Sequence, residues 1–144
     1  MNVTFLGHKN APIAKIKNKA YASLVELIEK DGANQFYVGN QGSFDLMVYD
    51  ILKELKIQYP RIQYNVVFAY FPEESERGRI DEEHTIYPEG FETVPRKFAI
   101  DRRNHWMIEQ SDIVVTFVER PFGGAAKFKE IARRKKKRVI ELSE

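Results

Sequence analysis

Two stretches of this chain, YNVVFAYF (64–71) and DIVVTFV (112–118), are apolar at nearly every position. A strand with one wet face alternates apolar and polar residues, whereas a strand covered on both faces does not. Such strands belong to a sheet with helices packed on both sides. The rest of the chain supplies the other parts. NVTFL (2–6) is a short β-branched run that ends at Gly7-His8, QFYV (35–38) is a second, and RVIEL (138–142) closes the series. Between the first two, Ile16, Ala20, Leu24, Leu27 and Ile28 recur at helical spacing and stop near Asp31-Gly32. Phe44, Met47, Val48, Ile51, Leu52 and Leu55 then fall at i, i+3, i+4, i+7, i+8 and i+11, the clearest amphipathic helix in the chain. DRRNHWMIEQSD (101–112) is helical in composition, and another helix should follow Gly124. This alternation predicts right-handed crossovers between parallel strands. The expected fold is α/β, a Rossmann-like three-layer sandwich with a mainly parallel five-stranded sheet.

A length of 144 residues fits a single domain, 1–144. One segment, about 72–95, breaks the rhythm: it is acidic at first and then holds YPEGFETVP. It reads either as a solvated insertion or as a lid or side wall over a site. The chain has no cysteine, which excludes disulfides and thiolate metal sites. His8, His84 and His105 show no metal-ligand spacing, so neither a metal nor a cofactor is expected. The opening MNVTFLG carries no basic leader and no long apolar run, so the expected setting is cytoplasmic, with no membrane contact. Net charge is +2, too near neutrality for the electrostatic footprint of a nucleic-acid binder, and nucleic acid is not the expected partner. RRKKKR (133–138) falls at a helix C-terminus, where cations complement the dipole.

In an open parallel sheet, ligands bind outside the carboxyl ends of the strands. At that edge the first strand delivers Gly7 and His8. The second delivers Gly39, Asn40, Gln41, Gly42 and Ser43, and the fourth Pro121, Gly123 and Gly124. The last two turns lead into helix N-termini, whose free N–H groups favour an anion. Simpler roles exist: Ser43 as an N-cap over a plain turn, or His8 as a satisfied polar group at a strand end. Arg103 is four residues from Met107, so the two share a helical face and Arg103 is drawn inward, near the edge. The alternative is a surface arginine paired with Asp101 or Glu109. Asn104 lies beside it.

The order FLGHKN, YVGNQGSFD, RNHWMIEQSDIVVTFV and PFGGAAKFKEIARRKKKRVI resembles the SLOG superfamily of Rossmann-like nucleotide-binding proteins. That superfamily includes the Lonely Guy (LOG) phosphoribohydrolases and the DNA-processing protein A fold. The likeness spans nearly the whole chain outside 72–95 and is greatest to small stand-alone bacterial members. The resemblance implies that Gly7, His8, Gly39, Gly42 and Asp45 line a nucleotide site and that Arg103 matches the family's arginine. LOG enzymes carry P-G-G-x-G-T-x-x-E before the last strand. Gly123 and Gly124 match its glycine pair and Glu130 its glutamate. Pro121 stands one residue too far out, and Ala126 and Lys127 replace glycine and threonine. In LOG enzymes the arginine and glutamate act on the ribosyl–base bond.

Two functions are therefore expected. The first is binding or sensing of a nucleotide or nucleotide-derived molecule, with Lys127 supplying a phosphate contact. The alternative is a LOG-like nucleoside-monophosphate phosphoribohydrolase, with Arg103 and Glu130 catalytic, unless Glu130 merely pairs with Arg133 or Arg134 along its helix. The resemblance also implies a homo-oligomer, most simply a dimer, with Phe128, Trp106 and tyrosine of the 72–95 segment as candidate contacts.

Overall fold

The computed structural model describes residues 1–73, 80 and 82–143. Its strands are β1 (Asn2–Gly7), β2 (Gln35–Val38), β3 (Gln63–Val67), β4 (Thr85–Ile86), β5 (Ile113–Phe117) and β6 (Arg138–Glu141). Its helices are α1 (Ile13–Lys30), α2 (Gly42–Gln58), α3 (Ala99–Glu109) and α4 (Gly124–Arg134). The sheet order is β4-β3-β2-β1-β5-β6, and each pair of neighbours is parallel. Among the described residues, no helix is long and apolar enough to cross a membrane.

The apolar runs behave as their composition requires. All five residues of β5 are buried. Ile113, Val115 and Phe117 join Val3 and Phe5 of β1 in a core shared with Ile16 and Leu24 of α1 and Phe44 and Leu52 of α2. Val114 and Leu6 face the other way, into a smaller core with Met107 and Ile108 of α3 and Phe128 and Ala132 of α4. The sheet thus has α1 and α2 on one face and α3 and α4 on the other.

Three details differ from the expectation. The sheet has six strands rather than five, because β4 is drawn from the 72–95 segment. Val66 and Val67 pair with Thr85 and Ile86, and the Phe68 N–H donates to the Ile86 carbonyl. Two residues are too few to leave a periodic signature. Around β4 lie single-turn helices at Glu82–His84 and Phe91–Thr93, while 74–79 and 81, in the acidic part of the segment, lie outside the described residues. Second, β3 stops at Val67 although the apolar run continues to Phe71, because the chain bends away at Ala69 and Tyr70. Third, Phe128 is a core residue, only 1% exposed, and Trp106 packs edge-on against Tyr37 at 5.3 Å. Phe128 is therefore not available as a contact for another chain.

From β1 the chain steps outward through β2 and β3 to β4, then crosses to the far side of β1 to form β5 and β6. The direction of winding reverses between β1 and β5, where Gly7 is in register with Phe117. A crevice opens at such a point because the flanking helices diverge to opposite faces.

Candidate functional site

At the end of β1, a β-carbon on Gly7 would come within 2.5 Å of the Phe44 ring, so this glycine lets α2 close over the strand. His8 follows, 6% exposed. Its Nε2 accepts the Glu119 N–H at 2.9 Å, which places the neutral ring's proton on Nδ1. Burial first, and then the charge of Arg120, lowers its pKa. His8 thus ties the end of β1 to the loop leaving β5, and its Nε2 is satisfied at a strand end.

The turn after β2 is held against its surroundings at three points. A β-carbon on Gly39 would meet both the Asp45 carboxylate and the Arg103 guanidinium. Gly42 has φ +89°, and a β-carbon there would lie 2.5 Å from the Lys9 carbonyl oxygen. The same carbonyl accepts the Ser43 N–H at 2.8 Å and the Ser43 hydroxyl at 3.0 Å, and the Ala11 N–H donates to that hydroxyl at 2.9 Å. Ser43 is therefore not an N-cap, since Gln41 takes that position without a side-chain bond. Gly42 and Ser43 hold the 8–11 loop across the start of α2. An anion expected after Gly42 meets a first turn already covered by a carbonyl.

Arg103 is 2% exposed and points inward, as the spacing with Met107 requires. Its Nη1 donates to the Val67 carbonyl at 3.2 Å and to Asn40 Oδ1 at 3.4 Å, and its Nε donates to Asn104 Oδ1 at 3.0 Å. Burial lowers its pKa, and the Asp45 charge opposes that shift. The suggested surface partners are engaged elsewhere: Asp101 with Lys127 at 2.7 Å and Glu109 with Lys135 at 3.8 Å. Asp45 accepts the Gln41 N–H at 2.9 Å. Burial raises its pKa to about 6, against the pull of the Arg103 charge.

α4 begins differently from α2. Gly123 takes φ +94°, and nothing lies within 4 Å of a β-carbon on Gly124. The Lys127 N–H reaches the Gly123 carbonyl at 3.1 Å. The N–H groups of Gly124, Ala125 and Ala126 meet no acceptor among the described residues.

These pieces surround a cleft of about 270 Å³ between the ends of β1 and β5. Gly7, His8 and Lys9 form one wall, Gln41 and Asp45 another, and Ile100, Arg103, Asn104 and Met107 of α3 a third; Arg120, Gly124 and Ala125 complete it. Lys9, Arg103 and Arg120 line the cleft with the buried Asp45, and of the three cations Arg103 is the one whose charge acts on that carboxylate. Among the described residues, no group of three His, Asp or Glu side chains is arranged to hold a metal ion.

Other expected residues stand apart. Glu130 is half exposed, pairs with Arg134 at 3.4 Å, and lies with Pro121 on a separate surface hollow. The cause is helical phase. Phe128 and Ala132 face the sheet, so Glu130, about 200° round from Phe128, faces solvent. The structure does not bring Glu130 to Arg103, and pairing along the helix describes its place. Lys127 is held by Asp101 rather than facing the cleft.

Three residues beyond the sequence reading shape this edge. Lys9 and Arg120 had a signal, since both lie within three residues of a strand end. Glu141 had none: its carboxylate accepts from Lys129 Nζ and Thr116 Oγ1, both at 2.6 Å, and from the Val118 N–H at 2.9 Å. These bonds outweigh burial and lower its pKa to about 2. The group anchors the exit of β5, from which Arg120 and the glycine pair project.

The fold and this cleft define a Rossmann-like α/β protein with a cationic crevice at its switch point. A similar structure is that of DNA processing protein A from Helicobacter pylori, described for its single-stranded DNA binding mode. The two are 18% identical, with a TM-score of 0.67 over 98% of this chain and 64% of that one. The likeness shows the shared fold, and this chain spans about 64% of the length of that protein. No family model matches the chain, and no curated protein matches it in sequence. The structural likeness corrects one expectation. A net charge of +2 is no reason to set nucleic acid aside, because a protein of this fold binds single-stranded DNA. Net charge sums the whole surface, whereas binding depends on where the cations stand.

Proposed function

We propose that the protein binds the phosphate of a nucleotide at the start of α4, within the switch-point cleft, and holds it without turnover. One observation carries the reading. Among the described residues the N–H groups of Gly124, Ala125 and Ala126 at the start of α4 meet no acceptor, and Gly124 and Ala125 line the same cleft as Arg103 and Arg120. An anion there meets the positive end of the helix dipole and two guanidinium groups. Each charge-assisted contact is worth about 1.5–3 kcal/mol. The glycine pair and inward arginine also support membership in the SLOG superfamily. The phosphoribohydrolase alternative loses support because Glu130 faces solvent.

A second reading, a single strand of nucleic acid, is favoured by a separate observation. Three aromatic rings on the same edge each carry a cation: Arg120 over Phe122 at 5.6 Å, Lys97 over Phe98 at 5.1 Å and Arg96 over Tyr70 at 4.2 Å. Phe122 and Phe98 are 68% and 53% exposed. Rings beside cations suit stacked bases with neighbouring phosphates.

The test is thermal stabilisation by AMP, GMP, CMP and UMP, run beside fluorescence anisotropy with a labelled oligodeoxythymidine. Stabilisation by mononucleotides, lost in Gly124→Val, supports the first reading. Valine meets nothing within 4 Å of its β-carbon there, so the fold should survive. A Gly124→Val shift equal to the parent's means that the phosphate site is elsewhere. Tight oligonucleotide binding without mononucleotide binding favours the second reading. Free base released from any nucleotide would overturn the absence of turnover.

A further inference from the structure

We infer that His8 is a positioning residue for the anion: its neutral ring latches the loop that carries Arg120 and the glycine pair, and protonation of the ring releases that loop and weakens anion binding. The inference rests on the phosphate site proposed at α4. Nε2 of His8 accepts the Glu119 N–H at 2.9 Å, and the backbone N–H of His8 donates to the Phe117 carbonyl at 3.3 Å. The residue after β1 therefore holds the exit of β5 at two points. Arg120 is the next residue of that loop, which then runs through Gly123 into Gly124; Arg120 and Gly124 line the cleft together with His8. The ring has little room to turn away. It is 6% exposed and packs edge-on against Phe117 at 5.8 Å.

A neutral imidazole accepts at Nε2 because its one proton sits on Nδ1, whereas an imidazolium carries a proton on both nitrogens and accepts at neither. Protonation would set Nε2–H against the Glu119 N–H, and two donors left facing each other in a buried contact are driven apart. A new cation beside an anion ordinarily strengthens its binding. Here that gain is one contact, and the loss is the placement of Arg120 and of the start of α4 together. Glu119 and Arg120 of the loop and Glu141 of β6 act on the ring, while Lys9, Asp45 of α2 and Arg103 of α3 line the same cleft. Burial and then Arg120 hold the ring's pKa below the ordinary 6.5, so the latch is closed at neutral pH. Between pH 8 and 5 Glu141, with a pKa of about 2, stays charged and keeps its hold on the Val118 N–H. Asp45, at about 6, loses charge on acidification, which would strengthen anion binding rather than weaken it.

The experiment uses inorganic sulfate, which keeps both charges across this range where a phosphate group titrates near pH 6. The His8 ring is titrated by NMR in the parent protein, with and without saturating sulfate at constant ionic strength. Protonation and binding are linked reciprocally, so sulfate should lower the His8 midpoint by about one unit, equivalent to tenfold weaker binding to the protonated form. A midpoint that rises makes His8 a plain cation beside the anion and overturns the inference, as does one that stays fixed while sulfate binds. In either case, sulfate stabilisation that Gly124→Val removes leaves the phosphate site standing. No sulfate binding by the parent at any pH overturns that site and the inference with it. His8→Ala, which removes the acceptor, should bind sulfate at least tenfold more weakly at pH 7.5. His8→Gln, whose side-chain oxygen can take the Glu119 N–H, should recover part of that loss and should not weaken on acidification. Equal affinity of His8→Ala and the parent would also overturn the latch. The titration of the parent does not depend on how well either variant folds.

Discussion

Asp45 and Arg103 converge on Gly39: a β-carbon on that glycine would lie 2.7 Å from the Asp45 carboxylate and 2.8 Å from the Arg103 guanidinium. Both side chains are buried and both are held by bonds to the chain around them. Neither can retreat cheaply. Gly39→Ala should therefore lower stability by about 1–3 kcal/mol, the usual range for forced overpacking. Urea denaturation measures it, and an unchanged midpoint would mean that the two groups are not so closely placed.

Asp45 should make stability depend on pH. Its folded pKa is raised to about 6 from the ordinary carboxylate value of 3.8, so the folded state holds this proton more tightly than the unfolded chain. The contribution is complete below about pH 4 and is lost as pH rises through 6. Asp45→Asn imitates the protonated form. It should match the parent near pH 4 and exceed it by roughly 2–3 kcal/mol at pH 8. A variant no more stable than the parent at pH 8 would contradict this.

Glu141 should act in the opposite direction. Its folded pKa is lowered to about 2 from 4.5, so its contribution is complete above about pH 4.5 and fades as pH falls toward 2. Glu141→Gln leaves Lys129 without its partner in a side-chain environment only 12% exposed. The loss should be about 3 kcal/mol at pH 7 and should shrink as the parent is acidified. Chemical denaturation at pH 7 and pH 3 checks both parts; a loss of equal size at the two would rule out linkage to this carboxylate.

The two glycines before α4 should respond differently to alanine. Gly123 sits at φ +94°, where a side chain is strained, whereas Gly124 has an ordinary φ and open space. Gly123→Ala should cost about 1–2 kcal/mol, and Gly124→Ala should be neutral or stabilise by up to about 1 kcal/mol. Melting temperatures of the two variants, measured side by side, decide it; equal shifts would mean that the turn differs from the one described.

Much of the architecture was present in local pattern. Continuous apolar runs at 64–71 and 112–118 determined strands covered on both faces, and the spacing of Phe44 to Leu55 determined the buried stripe of α2. The four-residue step from Arg103 to Met107 was enough to turn a charged side chain inward, because residues at that spacing share a face. Glycines marked the turns at the sheet edge. What the turns do was decided elsewhere. Ser43 looked like a cap until the chain brought the Lys9 carbonyl onto its N–H, from 34 residues away in sequence. Glu130 matched a motif, yet the packing of Phe128 and Ala132 set the phase of α4 and turned it to solvent. β4 was too short to show a period, and Glu141 found Lys129 and Thr116 only once β6 lay beside β5. Periodicity is a property of neighbours along the chain, and it specifies which face of an element is buried. A binding edge is assembled where separate crossovers end, and its contacts depend on register and phase that no single stretch contains.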